Sequence, residues 1–260
     1  MGSLRVTLVQ QPLIWEDAGA NRARFADLLA PLVGTTDLIV LPEMFTTGFS
    51  MQPAALAESP EGQTWAWLRS QAKLLDSAIA GSVMTRETEA CVNRLLFAKP
   101  DGRIVHYDKR HLFRMGREHE NYQPGTQPVA VNWRGLRIGL QICYDLRFPV
   151  WSRRRPDFDY DLLLYVANWP SARSFAWRQL LSARAIENQC YVVGVNRCGA
   201  DGHGVAHQGD SAAHDFLGAA LLRLGEEAGC VTVTLDLAAL QRFRERFPAH
   251  QDADRFTLQP

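Results

Sequence analysis

Two apolar runs constrain the fold of this chain more than any other feature. Asp37-Leu38-Ile39-Val40-Leu41 and the segment Asp161 to Val166 are each of strand length and show almost no polar alternation. A strand that is apolar at consecutive positions has both faces covered, the pattern of parallel strands packed between helices. The segments around them agree. Val6 to Gln10 is a strand ended by Pro12. Asn21 to Leu32 carries Phe25, Leu28, Leu29 and Leu32 on one helical face and closes at Gly34. Thr64 to Leu75 and Phe175 to Asn188 are further helices, and Ala78 to Val83 and Cys190 to Asn196 further strands. Two hairpins are expected, Asn93–Ala98 with Arg103–Tyr107 around Pro100-Asp101-Gly102, and Val129–Trp133 with Arg137–Ile142 around Arg134-Gly135. Arg114 to Gln127 reads as a charged loop and Cys198 to Gly209 as a glycine-rich one. Ala219–Leu224 and Val231–Asp236 are closing strands, followed by a helix over Leu237–Phe247 and a polar tail from about residue 248. Interleaved strands and helices without a linker or repeat predict a single mixed-sheet α/β domain over residues 1–260.

Charge and cysteine usage exclude several functions. Lysine plus arginine and aspartate plus glutamate both number 28, so there is no basic excess of the kind a nucleic-acid partner demands. Five cysteines without a C-x-x-C spacing suit neither a disulfide framework nor a cysteine zinc site, and His203, His207 and His214 fit no metal signature, so they read as scattered loop histidines. No signal peptide and no run of about 18 apolar residues is present, which predicts a cytoplasmic protein with no membrane partner. Arg153-Arg154-Arg155 reads as a solvated turn.

Chemistry concentrates where strands end. Glu43 follows the run Leu38–Leu41, Lys109 follows Arg103–Tyr107, and Cys143 follows Arg137–Ile142. Open α/β sheets place their reactions at such ends. Taken singly, each residue has an ordinary reading: a buried cysteine, an acid capping a helix, a solvated lysine. Taken together they supply a nucleophile, a base and a cation. A free thiol is only a few per cent thiolate at neutral pH and needs a base. A carboxylate can take its proton, and an ammonium can hold the oxyanion formed on an attacked carbonyl.

Leu41-Pro42-Glu43, Tyr107-Asp108-Lys109-Arg110-His111-Leu112 and Ile142-Cys143-Tyr144-Asp145-Leu146-Arg147-Phe148-Pro149 together resemble the carbon–nitrogen hydrolases of the nitrilase superfamily. The resemblance puts that family's Glu-Lys-Cys set on Glu43, Lys109 and Cys143, and its second glutamate on Glu118 rather than Glu120. It implies a four-layer α-β-β-α sandwich with mixed sheets, a homodimer, no cofactor and no metal. Tyr144-Asp145 stands where nitrile-hydrolysing members carry Trp-Glu, which disfavours nitriles. Phe45-Thr46-Thr47-Gly48-Phe49, His111-Leu112-Phe113-Arg114-Met115, Ala167-Asn168-Trp169-Pro170 and Ala185-Ile186-Glu187-Asn188-Gln189 resemble the bacterial omega-amidase group. That likeness implies hydrolysis of the terminal amide of 2-oxoglutaramate or 2-oxosuccinamate, with water and a small amide as the partners. The thioester would form on Cys143, with the Tyr144 N–H beside Lys109 at the oxyanion. Arg173 is the candidate partner of the substrate carboxylate, and Phe45, Phe49 and Trp169 the candidate pocket walls. A carbamoyl-amide or general aliphatic amidase is the alternative within the superfamily. A thioester-based acyl transferase and a non-catalytic binding module are the alternatives outside hydrolysis.

Overall fold

The computed structural model describes residues 2–258 and contains two six-stranded mixed sheets. In chain order the strands of the first are β1 (Ser3–Gln10), β2 (Leu38–Val40), β3 (Ala78–Arg86), β4 (Cys91–Ala98) and β5 (Ile104–Asp108). The second holds β6 (Val129–Trp133), β7 (Leu136–Ile142), β8 (Leu162–Ala167) and β9 (Tyr191–Asn196). After a small separate hairpin of β10 (Cys198–Ala200) and β11 (Ala206–Gln208) it adds β12 (Ala212–His214) and β13 (Ala220–Arg223). Strand β14 (Gly229–Asp236) returns to the first sheet, antiparallel to β1. Each sheet has three parallel strands at its centre, β1-β2-β3 and β7-β8-β9, with antiparallel neighbours outside them.

The apolar runs are explained by the layers. Leu38 and Val40 face the other sheet, in a core shared with Ile138, Leu140, Ile142 and Leu164. Ile39 and Leu41 face outward onto the helices Ala18–Leu29 and Gln63–Leu75, through Phe25, Leu29, Leu68 and Leu75. On the far side the helix Ser174–Asn188 covers β9 with Trp177, Leu181 and Ala185. Gly194 permits that approach, since a Cβ there would lie 2.7 Å from Leu181. The result is the α-β-β-α sandwich that the resemblance implies. At the edge where β2 begins, Asp37 accepts from Arg5 and Arg134, and the Trp133 indole N–H donates to the Asp37 carbonyl at 2.8 Å, joining the two sheets. The opposite edge is left for chemistry.

Two loop expectations are corrected. The glycine-rich segment after Cys198 forms the β10–β11 hairpin, and β12 is a strand with no counterpart in the sequence reading. The charged segment after Phe113 contains a 3-10 turn, Arg114–Gly116, and one helical turn, Glu118–Asn121. Arg153, Arg154 and Arg155 are not a solvated turn either. Arg153 donates to the Glu187 carbonyl, Arg154 to Asp159 and Arg155 to Asp157, and all three are partly buried. The tail folds back, with the His250 N–H donating to Gln189 Oε1 at 3.1 Å and Leu258 packed on the main core. No helix among the described residues is long and apolar enough to cross a membrane.

Candidate active site

Strand direction brings the chemistry together. β2 and β5 point the same way in the first sheet, so Glu43 and Lys109 leave it at one edge. Asn93, near the start of the antiparallel β4, lies at that edge too. Cys143 and Asn168 follow β7 and β8 directly and meet them from the second sheet. The chain holds Cys143 in the left-handed region, at φ 45°, an uncommon conformation for a non-glycine residue that marks a sharp turn out of the strand. A 3-10 turn, Cys143–Arg147, begins there, so the N–H of Tyr144 lies in a first turn where main-chain donors lack helical acceptors.

Behind the thiol sits a buried charge cluster. Lys109 Nζ donates to Glu43 Oε1 at 2.8 Å and to Glu118 Oε1 and Oε2 at 3.0 and 2.9 Å, and all three side chains are 0 % exposed. Asn93 Nδ2 bridges the same two carboxylates, at 2.8 Å to Glu43 Oε1 and 3.1 Å to Glu118 Oε1. Glu43 Oε2 accepts the Asn168 main-chain N–H at 2.8 Å, and Glu118 Oε2 accepts that of Phe113 at 2.6 Å. The loop bearing Glu118 is fastened at Gly125, whose N–H donates to the Lys109 carbonyl. A Cβ on Gly125 would lie 2.2 Å from the Asp108 carbonyl oxygen. Of the two glutamates in this loop, Glu118 is therefore the one at the site, while Glu120 is exposed and paired with Arg117.

Electrostatics follow from burial. Burial alone would lower the Lys109 pKa, but Glu118, Glu43 and Cys143 outweigh it and hold the ammonium charged well above the usual range. Burial raises the Glu118 carboxyl, Lys109 pulls it part of the way back, and Glu43 pushes it up again, leaving it raised. Burial and then the Glu43 carboxylate push the Cys143 thiol well above an ordinary cysteine. The thiol is therefore held neutral, and a base would have to take its proton before the sulfur could act as a nucleophile.

Asp145 organises the turn. Its Oδ2 accepts from Ile142 N–H at 3.0 Å and from Tyr107 O–H at 2.8 Å, and Oδ1 accepts the His111 N–H at 2.9 Å and meets His111 Nδ1 at 2.8 Å. It ties the turn that begins at Cys143 to the segment that carries Lys109.

Cys143, 8 % exposed, opens into a cavity of about 320 Å³. Phe49 and Trp169, two of the expected pocket walls, line it, and so do Tyr144 and Arg173. Phe45 does not. It is fully buried on the helix side of the first sheet, packed on Phe25 at 5.6 Å and Trp67 at 5.8 Å between ring centroids. The cavity also holds residues without a sequence-based role: Arg147, Asn168, Met51, Met115, and Asp201, His203 and His207 from the β10–β11 hairpin. His203 and His207 are thus wall residues rather than scattered loop histidines. No cluster of three or more metal-ligating side chains occurs among the described residues. Arg147 was in plain view within the Cys143 motif. Asn93 gave no signal, because a polar residue near the start of a strand looks like ordinary alternation.

This arrangement pairs a thiol with a carboxylate, an ammonium and a main-chain donor, the set needed for acyl transfer through a thioester. A family model described as carbon–nitrogen hydrolase matches residues 5–245. The omega-amidase YafV of Yersinia enterocolitica is 51% identical over 259 residues, which cover 99% of this chain and 100% of that protein. The 2-oxoglutaramate amidase of Bacillus subtilis is 34% identical over 219 residues, 83% of this chain and 84% of that one. Among solved structures, a CN-hydrolase superfamily protein from Xanthomonas campestris with an arsenic adduct in its active site superposes with a TM-score of 0.97. It is 50% identical, with 100% of both chains covered.

Proposed function

The chain belongs to the carbon–nitrogen hydrolase family, and on that premise we propose that it is an omega-amidase acting on 2-oxo dicarboxylate monoamides such as 2-oxoglutaramate and 2-oxosuccinamate. It is an enzyme of amide hydrolysis. The observation that carries the substrate class is the pair Arg147 and Arg173. Both line the cavity in front of Cys143, and neither guanidinium has a carboxylate partner among the described residues. Each lies instead over an aromatic ring, Arg147 5.1 Å from the Trp169 centroid and Arg173 5.2 Å from that of Phe113. Cations kept free in a largely apolar cavity suit a small substrate with an anionic tail. The two named amidases among the relatives support the same class.

In this reading Glu43 takes the Cys143 proton as sulfur attacks the amide carbon, and Lys109 with the Tyr144 N–H holds the oxyanion. Glu43 then hands the proton to the departing ammonia, leaving a thioester. A water molecule, deprotonated by the same carboxylate, releases the acid and regenerates the thiol. Glu118 and Asn93 hold Lys109 and Glu43 in register, so that little reorganisation accompanies the charge shift. Phe175 and Ile186, eleven residues apart on one exposed face of the outer helix, support the homodimer. Cytoplasmic residence remains part of the same proposal.

Ammonia release from a panel of amides tests the function. The oxo-acid amides should exceed uncharged aliphatic amides of equal length by about 10- to 100-fold in kcat/KM, the range a charged hydrogen bond supplies. Preference for N-carbamoyl compounds or for nitriles would overturn it.

A further inference from the structure

Asn168 contacts Glu43 twice and still has an unused acceptor. Its main-chain N–H donates to Glu43 Oε2 at 2.8 Å, and its Nδ2 donates to the Glu43 carbonyl at 2.5 Å. The carbonyl fixes which end of the carboxamide faces it, since an oxygen there would oppose another oxygen. Oδ1 therefore occupies the other end. It has no donor among the described residues, although Asn168 is only 5 % exposed and lines the cavity together with Cys143. A buried acceptor without a donor is uncommon and calls for a partner. The substrate class brings one, because a primary amide carries two N–H groups on the atom that must leave.

Resting on the amidase reading above, we propose that Asn168 Oδ1 accepts a hydrogen bond from the –NH2 of the scissile amide, making Asn168 the residue that distinguishes a primary amide from an ester or an acid. The geometry has three consequences. The amide oxygen is left to Lys109 and the Tyr144 N–H. The nitrogen is drawn to the side where Glu43, bonded to Asn168, delivers the proton. After hydrolysis the acid product sets an oxygen against Oδ1, which favours its departure over rebinding.

Binding in the absence of chemistry separates recognition from leaving-group protonation. Dissociation constants for 2-oxoglutaramate and for the 5-methyl ester of 2-oxoglutarate would be measured calorimetrically on Cys143→Ala and on Cys143→Ala with Asn168→Ala. Added Asn168→Ala should weaken the amide by about 5- to 10-fold, a net hydrogen bond, and leave the ester unchanged. An equal change for both ligands, or none for the amide, overturns the assignment. Should the double variant fail to fold, Cys143→Ala alone still decides: equal affinity for amide and ester overturns it, and a several-fold preference for the amide supports it. Wild-type ammonia release from 2-oxoglutaramate keeps the two readings apart. If it is absent, the amidase reading falls and this one with it. If it is present and the amide-to-ester ratio does not respond, only the role of Asn168 falls.

Discussion

Behind Cys143, Lys109 reaches Glu43 and Glu118 within 3.0 Å and Asn93 spans the same carboxylates, all with no exposure to solvent. In front of it, Arg147 and Arg173 line the cavity with aromatic rings beside them and no carboxylate paired to either guanidinium among the described residues. The two regions lie on either side of one sulfur atom and are built on opposite terms. A buried ammonium and two buried carboxylates are tolerable only because they satisfy one another, so the base of the site is part of the fold. The cations at the rim are paired with no carboxylate among the described residues, so nothing buried depends on them and they can change without unfolding the chain. On the proposed function, the reaction chemistry is thereby preorganised and recognition is left to a few side chains around it.

The largest effects should come from the base. On the proposed scheme Cys143→Ala removes the group that forms the thioester, and ammonia release should drop by about 10⁴-fold or more, as for other enzymes that lose the nucleophile. Glu43→Gln should come close to it. Melting temperature should barely move for Cys143→Ala, since alanine suits the site in size. Ammonia release near the wild-type level from either variant would remove the thioester scheme.

Lys109→Met probes the claim that the base belongs to the fold. It leaves two buried carboxylates sharing a site without a cation and should destabilise by about 3–5 kcal/mol in chemical denaturation. Arg147→Ala, at the rim, should stay within about 0.5 kcal/mol of the parent. Similar values for the two variants would erase the distinction between base and rim.

The same distinction governs what could be read from the chain. Glu43, Lys109 and Cys143 are legible because each ends an apolar strand, and strand ends of one direction must converge. Their supports are not. Asn93 lies near the start of β4, and only the antiparallel return of that strand brings it to the same edge. Asn168 sits at the end of β8, yet its contacts with Glu43 come from the other sheet, 125 residues away. Phe45 misleads because an aromatic two residues past a catalytic candidate looks like a wall. The left-handed turn at Met44, φ 43°, separates Glu43 from it, and the ring goes to the helix layer. The hairpin β10–β11 escapes because three-residue strands owe their form to the partner's hydrogen bonds rather than to any period of their own.

A pH series reaches the hairpin side of the rim. Burial first, and then the nearby Arg197 charge, lower the pKa of His207 from 6.5 to about 4. A histidine depressed in the fold stays neutral there, so its share of stability is full above pH 6.5 and is lost as pH falls through 4. The whole window is worth about 3 kcal/mol at most. Burial pushes His106 and His214 the same way, so acid sensitivity should persist in part. His207→Gln should flatten the fall in melting temperature between pH 6.5 and 4 without removing it. An unchanged profile would mean that His207 is charged in the fold, and that this wall of the cavity is wetter than its 6 % exposure indicates.

The smallest effects should separate the two arginines. If both hold the substrate carboxylate, Arg147→Ala and Arg173→Ala should each raise KM for 2-oxoglutaramate by about 10-fold, near 1.4 kcal/mol, with little change in kcat. Neither should alter KM for an uncharged amide. Arg173 follows the strand β8 exit and borders the helix Ser174–Asn188, whereas Arg147 is set by the same 3-10 turn that positions Cys143. The main chain of Arg147 lies four residues from Cys143 on that one turn. Arg147 should therefore be the stricter judge of chain length, and Arg147→Ala should narrow the preference between 2-oxosuccinamate and 2-oxoglutaramate more than Arg173→Ala does. If kcat falls together with kcat/KM in the Arg147 variant while KM holds, Arg147 acts on the nucleophile's turn rather than on the substrate, and the boundary between base and rim lies one residue further out than the geometry places it.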